Sequence, residues 1–331
     1  MRQFLSLSFA GLVFLSPFAH ADDLGERRQY ESLTFYAQTT DSSGGEANAS
    51  SAPICRVYQE GAFLFQNTMT QLDSSNTSGF YSATIQLTPA NAFDRGKHHA
   101  IRIRGTVSSV NKPILHTFRI HPNEVLVQHD GNNSTSGATA ESRIEASTAG
   151  TVVILSPGVF DMGTAELAIP DGVSVRGAGM DATRIKSSIT ARFVIPGDRS
   201  VVEHLTIEAS VDGGRPFGAG DNQQFDNAVL RDARLIGDDD CAHIVGTSAS
   251  SLTIERVWMF TAFDGIVTSN AAHKLWLRDV FIVGEADGAF SQGIVITDTT
   301  HLYGTGVNVD ISDAPGAGGH KHNRKCNPRA V

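Results

Sequence analysis

Three six-residue lines decide how this chain reads: Leu230-Arg231-Asp232-Ala233-Arg234-Leu235, Ile254-Glu255-Arg256-Val257-Trp258-Met259 and Leu277-Arg278-Asp279-Val280-Phe281-Ile282. They lie one under another at steps of 24 and 23 residues, with apolar residues at the first, fourth and sixth place of each. A period of this length marks one supersecondary unit that cannot bury its apolar face alone and stacks on its neighbours. Two polar columns alternate in sign down the alignment: Arg231, Glu255, Arg278, and Asp232, Arg256, Asp279. Opposite charges at facing strand positions stabilise by ~0.2–1 kcal/mol each and like charges oppose the register, so both columns read as register marks. Residues 201–207 read as the preceding rung and residues 300–303 as the start of a later one. Between the rungs, residues 212–218 (Asp-Gly-Gly-Arg-Pro-Phe-Gly) read as a loop growing out of a corner.

Upstream, residues 142–150 contain Ala and end in Gly150, which predicts a short helix. Then come Thr151-Val152-Val153-Ile154-Leu155-Ser156-Pro157-Gly158-Val159-Phe160 and Leu167-Ala168-Ile169-Pro170-Asp171-Gly172-Val173-Ser174-Val175-Arg176-Gly177-Ala178-Gly179. This succession resembles the start of the pectate-lyase-like right-handed parallel β-helix superfamily: a capping helix, a strand ending in Pro-Gly-x-aromatic, and a strand ending in Gly-x-Gly. The resemblance implies a right-handed parallel β-helix over residues 141–311. The open end of such a coil carries unpaired backbone groups, which explains a cover at its start.

Residues 22–126 read as antiparallel β. Candidate strands at 33–37, 54–58, 62–70, 79–87, 100–104 and 115–120, separated by polar turns, predict a β-sandwich of seven or eight strands. Phe35-Tyr36-x-x-Thr39-x-Asp41-x-x-Gly44, Cys55-Arg56-Val57-Tyr58, Ser78-Gly79-Phe80-Tyr81 and an Ile-x-Ile pair resemble small sandwich modules of phage tail and prophage-encoded proteins. That resemblance implies a presenting or attachment module. Residues 127–140, rich in Asn, Ser, Thr and Gly, predict a linker, and residues 312–331 a disordered tail. The expected fold class is all-β: an N-terminal β-sandwich followed by the right-handed parallel β-helix.

The chain has 331 residues and a formal net charge of −9. It shows no basic footprint for nucleic acid. Arg2, an apolar run from Phe4 to Phe18 and Ala19-His20-Ala21 read as a signal peptide over residues 1–21, implying secretion or a periplasmic place without membrane insertion. Cys55, Cys241 and Cys326 are too scattered for a disulfide framework or a metal knuckle. Cys241 is expected inside a rung.

The candidate chemistry lies in the acidic turns. Asp240, Asp264 and Asp287 each follow a line at the same distance, with Asp239 beside the first. Neighbouring rungs stand ~4.8 Å apart and alternate ones ~9.6 Å, a range that overlaps both glycosidase carboxyl separations, ~5–5.5 Å and ~6.5–9.5 Å. Close carboxylates raise one another's pKa, and the same oxygens could hold Ca²⁺. Asp-Gly after a strand is also an ordinary turn. Asp239-Asp240-Cys241 resembles the Asp-Asp-Cys of polygalacturonases, which implies acid or base roles for the two Asp. That family's Gly-His-Gly is replaced here by Phe263-Asp264-Gly265-Ile266.

By alternation Trp258, Phe281 and Trp276 point outward, where they could stack on sugar rings, form a subunit interface in a homo-oligomer, or lie under a loop. Arg256 is a candidate cation for an acidic substrate or a lyase base. His243 reads as structural. The functional expectation is a secreted protein that acts on or binds polysaccharide, by hydrolase or lyase chemistry on acidic glycans. The alternative is a non-catalytic glycan-binding, adhesion or tailspike-like receptor-binding protein.

Overall fold

The computed structural model describes residues 21–310 apart from 42, 73–77, 108–109, 112, 210, 220–222, 246–249, 272, 285–292 and 297–299. The leader and tail expected from the sequence lie outside the described residues. Two compact units divide between Pro122 and Asn123. No helix among the described residues is long and apolar enough to cross a membrane.

In the first unit, Ile54–Gln59 lies between Ala62–Thr68 and His98–Arg104, and residues 114–119 continue the antiparallel sheet. Ser32–Gln38, Phe80–Gln86 and Thr70–Gln71 form a second sheet. Alternate residues of both sheets meet in one core: Leu33, Phe35 and Ile85 from the second, Cys55, Val57, Ile101, Ile103 and Phe118 from the first. The core also takes in a histidine. His99 is buried between Phe93 and Phe118, with ring centroids at 5.0 and 5.1 Å. Its Nε2 lies 2.9 Å from Gln59 Oε1. Burial, which disfavours the charged ring, holds its pKa below the ordinary histidine value.

The second unit is a parallel β-helix of about seven turns. Its first column runs through residues 124–127, Val152–Leu155, Ser174–Arg176 and Val201–Glu203, then the leading halves of Ala228–Gly237, Ser251–Thr261 and Lys274–Gly284, and His301–Thr305. The second runs through Gly158–Asp161, Thr183–Ser187 and Thr206–Ala209, the trailing halves of the three long strands, and Asn308–Asp310. The third comprises Leu167–Ala168, Arg192–Ile195, Arg215–Ala219, Ala242–Val245, Ile266–Ser269 and Ile294–Ile296.

Each long strand bends at one left-handed residue: Asp232 (φ 48°), Arg256 (φ 52°) and Asp279 (φ 51°). A straight strand buries every second residue. The bend at the third position of each line shifts that phase by one, so the first, fourth and sixth residues face inward. All of the apolar residues at those places are buried.

The expected register holds, with Arg231 opposite Glu255 and Glu255 opposite Arg278. The ladder also extends upward through Glu203 to Arg176. Glu203 is buried, with Arg176 Nε at 2.5 Å and Arg231 Nε at 2.6 Å. Burial by itself would raise the Glu203 pKa, but the hydrogen bonds from the two guanidinium groups outweigh it and hold the carboxyl below its ordinary value.

Three sequence expectations need correction. The helix is Asn133–Glu145, not 142–150, and it occupies much of the stretch read as a linker. Its Asn, Ser, Thr and Gly content hides two local devices. The Asn132 side chain caps the helix by accepting from the N–H of Ser134 (3.0 Å) and Thr135 (3.1 Å), and Gly137 lies so close to Asp161 that a Cβ would stand 2.0 Å from its carbonyl oxygen. The solenoid begins upstream of residue 141, with the first-column strand at 124–127. Finally, residues 215–219 are a third-column strand rather than a loop, with Pro216 and Phe217 buried.

Two outcomes are expected. Because Glu203 titrates low in the fold, its contribution is present above the ordinary Glu value and is lost as pH falls through its own lower pKa. Glu203→Gln should destabilise the solenoid by about 1–3 kcal/mol at neutral pH, read by urea unfolding, with the difference shrinking in acid. For His99 the unfolded chain takes up the proton first. Stability should therefore be full above about pH 6.5 and fall as pH drops from there toward the lower folded pKa. Amide exchange in His98–Arg104 should show this acid sensitivity, and His99→Phe should flatten it.

Candidate functional site

Residues 238–241 carry the chain from the second column into the third, and residues 262–265 make the same turn one coil later. The turns stack through Cys241 N–H to Asp264 O (3.0 Å) and Ala242 N–H to Gly265 O (2.9 Å). Ala242 pairs with Ile266, so Asp240 and Asp264 superpose as the spacing suggested. From Ala242 to Ile266 is 24 residues, whereas from Ile266 to its partner Ile294 is 28, so the constant spacing stops after two turns. Asp287 itself lies outside the described residues.

Asp239 and Asp240 are brought together by a residue of the coil above. Arg215 Nη2 stands 2.6 Å and Nε 2.8 Å from Asp239 Oδ2, and Nε is 3.3 Å from Asp240 Oδ2. His243 Nδ1 lies 2.5 Å from that same Asp240 oxygen. Asp240 is buried, and each of the four side chains has a partner within the group. Cys241 beside them is fully buried, and this burial pushes its thiol pKa far up, so it is no nucleophile. Cys55 is likewise a buried free thiol. Asp264 contributes its backbone oxygen, which accepts from Cys241 N and, at 2.9 Å, from the Thr261 hydroxyl. Among the described residues no three His, Cys, Asp or Glu are placed to hold a metal ion. The Asp239–Asp240 pair does not fit Ca²⁺, because an oxygen of each already faces the Arg215 guanidinium.

Sequence reasoning passed over Arg215, whose neighbours Gly213, Gly214 and Pro216 suggested a loop. It also passed over a second stack of acids. Asp171 Oδ1 accepts the N–H of Asp198 (2.8 Å), Asp198 Oδ1 that of Asp226 (2.7 Å), and the Asp226 carboxylate accepts from the Ser251 hydroxyl. A signal existed in Asp171-Gly172-Val173-Ser174-Val175, Asp198-Arg199-Ser200-Val201-Val202 and Asp226-Asn227-Ala228-Val229-Leu230. These carboxylates splice coil to coil.

The outward aromatics form two stacks. Trp258 pairs with Phe281, centroids 5.0 Å apart and planes at 30°. Trp276 pairs with Tyr303 at 5.7 Å and 14°. Trp258 remains 44% exposed, Trp276 38% and Tyr303 51%. On its other side Trp276 meets only the small Thr253 in register. Phe281 and Trp276 share one strand five residues apart, at most about 17 Å. Arg256 is committed elsewhere: Nε and Nη2 hold the two Asp232 oxygens at 2.6 and 2.8 Å, and Nη1 reaches Glu255. These hydrogen bonds, from Asp232 first, raise its pKa and lower that of Asp232.

No family model matches the chain. Comparison with curated proteins also returns no match. Among solved structures it is similar to a pectin methylesterase from Erwinia chrysanthemi, with a TM-score of 0.38 and 14% identity over 53% of this chain and 66% of that one. It is also similar to ybhc of Escherichia coli, at 0.36 and 12% over 56% and 71%. A third is the catalytic unit of a thermostable GH87 α-1,3-glucanase from Streptomyces thermodiastaticus, at 0.24 and 13% over 85% and 60%. The chain thus spans just under two thirds of the esterase it matches.

The Asp240 cluster has a testable consequence. Asp240→Ala and His243→Ala should each cost about 1–3 kcal/mol, and the double variant should cost less than their sum because they share one hydrogen bond. Urea unfolding followed by tryptophan fluorescence measures this directly, since both tryptophans of the chain, Trp258 and Trp276, lie in the solenoid.

Proposed function

We propose that the solenoid binds a polysaccharide by ring stacking at the face carrying Trp258, Phe281, Trp276 and Tyr303, and that binding rather than bond cleavage is its role. One observation carries the reading: two stacked aromatic pairs on successive segments of the strand Lys274–Gly284, with Trp258, Trp276 and Tyr303 exposed, where the neighbouring guanidinium groups already have partners. Arg231 and Arg278 bond Glu203 and Glu255, and Arg256 bonds Asp232 and Glu255. Aromatic faces whose neighbouring guanidinium groups are engaged suit neutral sugar rings, which offer C–H faces to stack on.

The turn aspartates support the same choice. A glycosidase needs one carboxyl that donates a proton and another that acts as base or nucleophile. Asp239 and Asp240 instead share Arg215, and Asp240 also holds His243. The exported character read from the first 21 residues agrees with a ligand outside the cytoplasm.

The test is a fluorescence titration with neutral polysaccharides of differing linkage. A bound sugar should shift the emission, which comes from this face alone. Trp258→Ala and Trp276→Ala should each weaken binding about 5- to 30-fold, the equivalent of about 1–2 kcal/mol per lost stack. No reducing ends or unsaturated products should accumulate. Unchanged affinity in both variants, or turnover that Asp240→Asn abolishes, would overturn the proposal.

A further inference from the structure

The outer face of the larger sheet in the first unit carries cations that nothing neutralises. Arg56 and Arg102 sit directly opposite each other across Ile54–Gln59 and His98–Arg104, and Arg104 sits opposite Ile54. Their sequence neighbours Cys55, Val57, Ile101 and Ile103 are buried, so all three arginines stand on the outside. Like charges at facing strand positions weaken a sheet. In the solenoid the comparable column places an acid between each pair of arginines, as Glu203 does between Arg176 and Arg231. Here, among the described residues, no carboxylate reaches Arg56, Arg102 or Arg104. The unit's acids are spent elsewhere, Glu60 on Lys97 and Glu26 on Arg119. A bare cationic row on a chain of net charge −9 is a cost that folding does not recover.

Aromatic surface adjoins the row. Tyr58 and Phe63 meet edge to face at 5.9 Å and 68°, and Phe63 is 55% exposed. With Arg56, Phe65 and Gln66 they line one shallow groove. A second, lined by Ser51, Ile54, Arg56, Arg104 and Thr106 among others, opens on the other side of Arg56. Guanidinium forks match carboxylate and sulfate oxygens in bidentate fashion, and an exposed aromatic ring beside them offers a seat for a sugar.

We infer that this face of the first unit binds an anionic polysaccharide, with its acidic groups on Arg56, Arg102 and Arg104 and a sugar ring against Tyr58 and Phe63. The occupant follows from charge complementarity. A nucleic-acid duplex, with one charge per ~1.7 Å, presents far more charge than three arginines on a net-negative chain can answer. A polyuronate carries one charge per sugar. This site is independent of the solenoid face, which reads rings without charge.

The full chain is titrated with polygalacturonate, with fully methyl-esterified polygalacturonate, and with single-stranded DNA of matched charge. Polygalacturonate should bind, and added NaCl should weaken it. Esterification should cost at least tenfold. An Arg56→Gln/Arg102→Gln double variant should lose at least tenfold for polygalacturonate, while its melting temperature equals or exceeds that of the parent because a like-charge contact is gone. Phe63→Ala should lose severalfold with an unchanged salt dependence. Trp258→Ala should leave polygalacturonate affinity intact, which separates this site from the solenoid face. Equal affinity of the double arginine variant and the parent overturns the inference. So does loss of polygalacturonate binding in Trp258→Ala alone, or tighter binding of the DNA.

Discussion

One backbone requirement organises the middle of the solenoid: at the corner between its first two columns successive coils place a single residue in the left-handed region. His204, Asp232, Arg256 and Asp279 do so without being glycine, and Gly306 takes the same place in the following coil. The conformation costs about 1–2 kcal/mol for an L-residue. What it provides is a change of side-chain phase without a loop. Both halves of each long strand can then bury alternate residues, and the hydrogen-bonded pairing continues on either side of the bend. A glycine would take the same angles at less cost but would leave the corner without a side chain. Arg256, gripping both oxygens of Asp232 from the next coil, shows what that side chain is for. Asp232 and Arg256 thus join their coils as well as turning them.

Stacking imposes a second rule, because every polar residue on the surface of a coil has neighbours roughly 4.8 Å above and below it. A like-charged column is expensive, and the solenoid avoids one by different devices. Arg176, Glu203, Arg231, Glu255 and Arg278 alternate in sign. Asp171, Asp198 and Asp226 do not alternate, but each carboxylate is turned to accept a donor from the coil below, an N–H in two cases and a hydroxyl in the third. Asp239 and Asp240 take a guanidinium from the coil above. A column of acids in such a fold is therefore poor evidence for catalysis until its partners are known.

The same rule explains what could and could not be read from the sequence. The lines beginning at Leu230, Ile254 and Leu277 were legible because no insertion separates them, so spacing and register coincide. The alternating ladder was legible for the same reason. Arg215 was not, because a Gly-Gly before it and a Pro after it are loop signals, and only the pairing with Arg192 and Ala242 neighbours on either side makes the segment a strand. The helix Asn133–Glu145 was placed too late because intrinsic propensity disfavours its residues, whereas a capping Asn and a close seat against Asp161 hold it in place. The aspartates were found by spacing, but their partners came from a different coil by a different route. Sequence distance carries no information about such contacts.

The two units therefore present different chemistry for physical reasons. In the solenoid, packing coil on coil matches the main arginine column with acids of the protein, and the surface beside it carries the aromatic edge of a strand: Trp258, Phe281, Trp276 and Tyr303. In the first unit Arg56, Arg102 and Arg104 stand together on the outer face of the antiparallel sheet, at the modest cost of like charges in water. Screening by solvent and salt keeps that cost small. The same screening leaves the row free to exchange water and counterions for an acidic ligand, an exchange that a guanidinium already bonded to a protein carboxylate would have to break a salt bridge to make.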